Sequence, residues 1–220
     1  MSTVAVLGAG AWGTTFAKVL ADAGNDVQVW ARRDEIAREI NETHRNSRYL
    51  QRINLPLGVT ASTSLPVTLA GAEAIFLSVP SQSLRGLLDE MEGMLKGDTP
   101  VVSLMKGVER SSGLRMSQVI AESGFVDAER IAVLSGPNLA LEIARGEPSA
   151  SVVASDSHDV ATFVAALSTN SYLTTLTNND VTGTEFGGVL KNLIAVAVGI
   201  ADGAGYGDNT KASIITRGLS

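Results

Sequence analysis

The sequence predicts an α/β fold, a doubly wound parallel sheet followed by the start of an all-helical second domain. Three observations carry this. Short β-branched runs alternate with helix-length stretches along most of the 220 residues, the pattern of right-handed strand–helix–strand units. The runs are apolar at successive positions, as in strands covered on both faces. From about Asn178 the strand signal stops and a small-residue apolar stretch replaces it.

The elements follow in order. Strands bounded by Gly, Pro or Asp are expected at residues 4–7, 27–30, 74–79, 101–105 and 131–134. The third of these, Ala74-Ile75-Phe76-Leu77-Ser78-Val79, is the clearest fully covered strand. Helices fill the intervals at 12–23, 34–43, 81–94, 114–122 and 138–144. Two further strands, 151–154 and 172–176, flank a helix near 157–167 and extend the same sheet. Residues 1–180 therefore read as one domain and 181–220 as the incomplete beginning of another. In the second, an apolar helix at 189–201 is interrupted by Lys191 and Asn192, a glycine-rich hinge runs over 202–211, and a helical start at 212–219 is left unfinished at Ser220. There is no internal repeat or low-complexity tract.

Composition narrows the function classes. A chain that is 45% hydrophobic and 18% charged has material for a sizeable core and too little charge to stay disordered. Its 17 basic and 23 acidic residues give a net charge of −6, the reverse of a nucleic-acid footprint. With no cysteine and two histidines in dissimilar contexts, disulfides, thiolate chemistry and a metal centre are not expected. His44 and His158 read as surface residues. The N-terminus enters an apolar strand without a basic region or a small-residue cleavage pattern, so a cytoplasmic location is expected. The longest apolar run, 193–201, is shorter than the roughly 18 residues that span a bilayer.

The motif Gly8-Ala9-Gly10-Ala11-Trp12-Gly13 follows the first strand and opens the first helix. In that context Gly8 permits a tight turn, Gly10 lets the backbone approach a diphosphate, and Gly13 allows close helix–strand packing. The helix N-terminus supplies N–H donors, giving a Rossmann-type dinucleotide site; a glycine turn serving packing alone is the bland alternative. Some 20 residues on, where NAD enzymes carry an acid for the ribose, stand Arg32 and Arg33. Two guanidiniums suit the 2′-phosphate of NADP, so NADP is preferred, with NAD possible. Alternatively the arginines are merely solvated and Asp34 reaches the ribose. Lys106 follows the strand at 101–105, where open α/β sheets place ligand contacts. Lys191 begins the apolar helix, where lost hydration makes an ammonium a better proton donor. Either lysine alone is more often a snorkelling surface residue. Ser135-Gly136-Pro137-Asn138 starts a helix whose N–H groups suit an anionic or carbonyl ligand, or forms an ordinary strand–helix turn.

These motifs occur in one order with His44-Arg45-Asn46-Ser47-Arg48-Tyr49-Leu50 to Pro56, Val79-Pro80-Ser81, Lys106-Gly107, Lys191-Asn192 and the 202–211 run through Thr216-Arg217-Gly218. In that combination the chain closely resembles bacterial-type NAD(P)-dependent glycerol-3-phosphate dehydrogenase over essentially its whole length. The resemblance implies interconversion of dihydroxyacetone phosphate and sn-glycerol 3-phosphate for phospholipid synthesis, with a phosphorylated triose as substrate and a homodimer in the full-length family member. It makes Lys191 the proton donor to the substrate oxygen, with Lys106, Gly136, Asn138 and Asn192 at the substrate. Trp12, Arg32, Arg33, Tyr49, Lys106 and Ala140 match cofactor contacts, beside Gly8, Gly10, Ala11 and Gly13. Position 138, commonly Ser or Thr in the family, is Asn here. Members continue into a helical region with an Asp and a Ser-Arg-Asn cluster that close over substrate and cofactor. At this length the resemblance therefore implies weak NADP binding and poor turnover. The alternatives are another lysine-dependent Rossmann reductase, of β-hydroxyacid or ketopantoate type, or a non-catalytic NADP-binding module.

Overall fold

The computed structural model describes residues 1–95 and 97–219, so the unfinished end expected at Ser220 lies outside the described residues. Eight strands form one sheet: β1 (Thr3–Leu7), β2 (Asp26–Trp30), β3 (Val59–Ser62), β4 (Ala74–Leu77), β5 (Val101–Ser103), β6 (Ile131–Ser135), β7 (Ser149–Ser155) and β8 (Leu173–Asn178). Their order is β3-β2-β1-β4-β5-β6-β7-β8. The first six run parallel, which is the Rossmann arrangement, with the chain crossing from one side of β1 to the other between β3 and β4.

Period-two geometry splits the strand residues between two apolar layers. Val4, Val6, Phe76 and Val102 face α1 (Ala11–Asp22), α2 (Asp34–Thr43) and α7 (His158–Ser168). Ala5, Leu7, Ile75, Leu77 and Val101 face α3 (Leu65–Leu69), α4 (Leu84–Met91) and α5 (Met116–Glu122). The central strands β1, β4, β5 and β6 are covered on both faces and show no burial alternation, whereas β2, β3 and β8, nearer the sheet edges, do.

The structure revises several expectations. The strand β3 and helix α3 went unread, because Val59-Thr60-Ala61-Ser62 is four residues long, half polar and at the sheet edge. The sheet is not wholly parallel: β7 pairs antiparallel with β6, Ser135 opposite Val152, after a return segment containing only the five-residue α6 (Ala140–Ala144). The strand expected at 74–79 ends at Leu77 and that at 101–105 at Ser103, where the chain leaves the ladder for the ligand-facing edge. The helix expected over 81–94 starts with a 3₁₀ turn at Ser81–Ser83 and ends at Met91.

Beyond β8, α8 (Val181–Gly203) and α9 (Asp208–Gly218) pack on one another, and α8 also crosses β6 and β7. Lys191 thus sits in the middle of a 23-residue helix and does not begin one. The expected hinge at 202–211 shrinks to residues 204–207, since Asp202 and Gly203 finish α8 and Asp208 opens α9. The expectation that no segment reaches spanning length also changes. An uninterrupted apolar run stops at Lys191, but α8 continues through it and is long and apolar enough to cross a membrane by length and composition, with 11% of its most apolar window buried. Leu193, Val196 and Ile200 on it are exposed.

The close approach of α1 to β1 depends on Gly13, where a Cβ atom would lie 1.9 Å from the Gly8 carbonyl oxygen. Around Gly10 nothing stands within 4 Å of the corresponding position. Gly13→Ala is expected to destabilise the fold by about 3 kcal/mol or more, while Gly10→Ala changes stability by less than about 1 kcal/mol. Urea denaturation of the two variants measures the contrast.

Candidate active site

The site is built where the parallel strands end. Gly8, at φ +119°, makes the turn after β1, and its N–H bonds to the Trp30 carbonyl at 3.1 Å. A side chain there would meet the Ser78 carbonyl oxygen at 2.4 Å. Gly10 precedes α1 in extended conformation without a side-chain cap. The first intrahelical bond runs from Thr14 N–H to Gly10 C=O, so the N–H groups of Ala11, Trp12 and Gly13 are free to meet an anion at the positive end of the helix. These residues open a groove of about 930 Å³ that continues past Arg32, Arg33, Tyr49, Val79 and Met105.

At the far wall Arg33 Nη2 donates to the Tyr49 hydroxyl at 2.9 Å and lies over its ring, with Glu35 3.5 Å from its Nε. Arg32 is exposed in the same groove. Asp34, the alternative ribose ligand, is instead engaged by Arg38 at 2.7 Å along α2 and does not border the groove. A fully buried Asn46, read only as part of a motif, donates to the Ala9 carbonyl at 3.0 Å and to Thr14 Oγ1 at 2.8 Å. It pins the 44–50 segment onto the glycine turn. His44 is only partly exposed, with Nδ1 enclosed, because it ends α2 in left-handed conformation at φ 52°; the surface expectation holds for His158 alone.

Lys106 stands three residues past β5. Its ammonium donates to the Gly136 carbonyl at 2.8 Å. Burial first, and then the nearby Lys191 ammonium, hold its pKa below the usual lysine value. Gly136, at φ +156°, has no room for a side chain, since a Cβ atom would lie 3.0 Å from the Ala150 carbonyl oxygen. The antiparallel run of β7 brings Ser151 to this edge, where its hydroxyl donates to Asn138 Oδ1 at 2.8 Å; Asn138 Nδ2 is enclosed with no protein partner. Ala140 opens α6, and its carbonyl accepts the Thr15 hydroxyl at 3.1 Å.

Helix α8 completes the site. Asp180 caps it through Gly183 N–H at 2.7 Å. Glu185, 3% exposed, pairs with Arg115 and accepts from Ser117 N–H at 3.0 Å. Gly188, three residues on, lets the helix touch the sheet, as a Cβ there would lie 2.6 Å from Ser135 Oγ and 3.5 Å from Lys106 Cγ. One further step of three residues places Lys191 on the rim of a cleft of about 300 Å³ with Ser135 and Gly136. Lys191 is exposed, so the expected loss of hydration is not met in the described structure. Asn192 is exposed and lies outside that cleft's lining. The cleft therefore joins Lys191 to Ser135 and Gly136; the Gly136 carbonyl accepts from Lys106 Nζ at 2.8 Å and from Asn138 N–H at 2.9 Å.

The loop carrying Lys106 is clamped to the start of α4. Gln82 donates to the Val108 carbonyl at 2.8 Å and accepts from Arg110 N–H at 3.0 Å. Arg85 forks onto both oxygens of Glu109 at 2.9 and 2.8 Å, and Ser112 donates to the same carboxylate at 2.6 Å. Gly107 fits because a side chain would strike Ser81 Oγ at 2.8 Å. Neither Gln82 nor Arg85 carries a sequence signal, since the clamp spans 24 to 28 residues of chain.

The chain as a whole is similar to known proteins. Residues 3–161 match the family described as NAD-dependent glycerol-3-phosphate dehydrogenase N-terminus, and residues 180–220 its C-terminus counterpart. The chain is 63% identical over 214 residues to glycerol-3-phosphate dehydrogenase [NAD(P)+] of Leifsonia xyli, covering 97% of this chain and 58% of that protein. It is 53% identical to the like-named protein of Corynebacterium jeikeium, covering 100% of this chain and 66% of that one. The crystal structure of glycerol-3-phosphate dehydrogenase from Coxiella burnetii superposes with a TM-score of 0.88 at 33% identity, over 99% of this chain and 66% of that one. The chain thus spans somewhat less than two thirds of the length of these relatives.

The Arg85 guanidinium, with the Ser112 hydroxyl, holds the Glu109 carboxyl at about 2 against an ordinary value of 4.5. A depressed carboxylate stabilises the fold above its unfolded pKa, and the contribution fades as pH falls through the folded value. Urea midpoints are expected to drop between about pH 5 and about pH 2, and to drop less in Glu109→Gln, which lacks the titrating group.

Proposed function

We propose that this chain, which belongs to the NAD-dependent glycerol-3-phosphate dehydrogenase family, interconverts dihydroxyacetone phosphate and sn-glycerol 3-phosphate with NAD(P)H. The observation that carries the reading is the seating of α8, in which Gly188 lies against Ser135 and Lys106 and Lys191 borders the cleft with Gly136, whose carbonyl accepts from Lys106.

The groove fits a dinucleotide, because free N–H groups, an open approach at Gly10 and a basic far wall lie along one path. Gly8, Gly10, Ala11, Trp12 and Gly13 receive the diphosphate. Arg32 and Arg33, with Tyr49 behind Arg33, favour the 2′-phosphate of NADP, with NAD also accepted. Lys106 and Ala140 border the reacting end. The bound nicotinamide supplies the hydride. Lys106, Gly136 and Asn138 bind and orient the phosphorylated ketone, and Asn192 steadies its neighbour Lys191. As negative charge grows on the carbonyl oxygen, the Lys191 ammonium donates its proton there, and in the reverse direction the amine takes it back. On this reading residues 1–180 are the dinucleotide-binding domain and 181–220 begin a helical one. The same reading gives a cytoplasmic location, a homodimer in the full-length family member and a role in glycerophospholipid synthesis.

In a steady-state assay with NADPH and dihydroxyacetone phosphate, Lys191→Ala is expected to lower turnover about 10²–10⁴-fold with NADPH affinity within about twofold. Unchanged activity would favour a nucleotide-binding module without chemistry. Arg33→Asp is expected to weaken NADPH at least about tenfold more than NADH; fluorescence titration with both reads this, and equal losses refute the 2′-phosphate assignment.

A further inference from the structure

Residues 44–55 form a loop with a closed neck. The His44 carbonyl accepts Leu55 N–H at 2.8 Å, and Arg45 Nε donates to Asn54 Oδ1 at 2.8 Å. Asn46 roots it on Ala9 and Thr14. Such compact closed loops are frequently functional. This one is one-sided in charge: it carries Arg45, Arg48 and Arg52, and no Asp or Glu occurs between Glu42 and Glu73. Arg52 holds a left-handed backbone at φ 64°, unfavourable for a residue with a Cβ.

Opposite the loop, Arg145 ends α6. Arg48, Arg52 and Arg145 border a cleft of about 410 Å³ together with Ala11, Tyr49 and Ala140. Among the described residues, no carboxylate stands within ion-pair distance of any of these three guanidiniums. A concentration of unneutralised cations in a chain of net charge −6 raises a local positive potential that attracts an anion. The planar guanidinium fork matches the oxygens of a phosphate. The cleft adjoins the coenzyme groove, since Ala11, Arg48 and Tyr49 border both, whereas Arg52 and Arg145 border the cleft alone.

We propose that the cleft between the 44–55 loop and α6 binds a phosphate dianion, gripped by Arg52 and Arg145, with Arg48 as the wall shared with the coenzyme groove. The site stands independently of the redox reaction. Its occupant is a phosphorylated metabolite separate from the coenzyme, since Arg52 and Arg145 lie outside the groove in which the glycine turn and Arg32 and Arg33 receive the coenzyme's phosphates.

Calorimetric titration of inorganic phosphate and pyrophosphate, with and without saturating NADPH and against sodium chloride of equal ionic strength, tests the site. Arg52→Gly, suited to the left-handed backbone, and Arg145→Ala are the variants. Pyrophosphate is expected to bind the NADPH-loaded protein, about tenfold more weakly in either variant, with NADPH affinity changed less than about twofold. If NADPH instead abolishes pyrophosphate binding and both variants weaken NADPH and NADH alike, the cleft is an extension of the coenzyme groove and the proposal of a separate site is overturned. Pyrophosphate binding that is no stronger than the salt control, or identical in both variants, overturns the proposal. Failure of NADPH to bind the unaltered protein would remove the dinucleotide reading while leaving the coenzyme-free titration as the test of this cleft.

Discussion

The site depends on one enclosed carboxylate. Glu185 reaches across from α8 to the start of α5, where the Arg115 guanidinium and the Ser117 N–H and hydroxyl meet it. A carboxylate this deeply covered is stable as an anion only with such partners, so the helix has one favourable seating on the sheet. That seating sets Gly188 against Ser135 and brings Lys191 to the rim three residues later. Without it, α8 would be an apolar helix with little attachment, since Leu193, Val196 and Ile200 face outward.

Charge is distributed unevenly across an acidic molecule. Arg32, Arg33, Arg48, Lys106 and Lys191 all stand at the edge where the parallel strands end, together with the positive end of α1. Cations grouped in this way repel one another; the pKa of Lys106 is held down first by burial and second by the charge of Lys191. A phosphate-bearing ligand relieves the repulsion, so the same field that costs stability in the free protein favours anion capture. Rigidity at this edge comes from neutral and paired groups: Asn46 beneath the glycine turn, Gln82 and the Arg85–Glu109 fork beneath Lys106.

Much of this was legible in the residues themselves. The glycine turn was, because each glycine answers a local steric demand: Gly8 a positive φ, Gly13 a contact with a carbonyl five residues away. The strands β1, β4, β5 and β6 were, because burial on both faces favours apolar runs, and β2 was, because Val27 and Val29 mark its core-facing side. The arginines at 32 and 33 were placed by their distance along the chain from the turn. The edge strand β3 escaped because half its residues face water, and the expected hinge at 202–211 because glycines at 203, 205 and 207 mask two helix ends.

The sequence by itself determined the strand–helix alternation, the glycine turn after β1 and the pair of arginines after β2, all governed by forces acting within a few residues. The tertiary structure alone decided that β7 runs antiparallel and so delivers Ser151 to Asn138, and that a lysine in the middle of α8 reaches the strand ends. Those outcomes rest on partners such as Glu185 and Ser117, 68 residues apart. A hydrogen bond across that interval leaves no periodicity in the chain and exists only once the two elements have packed.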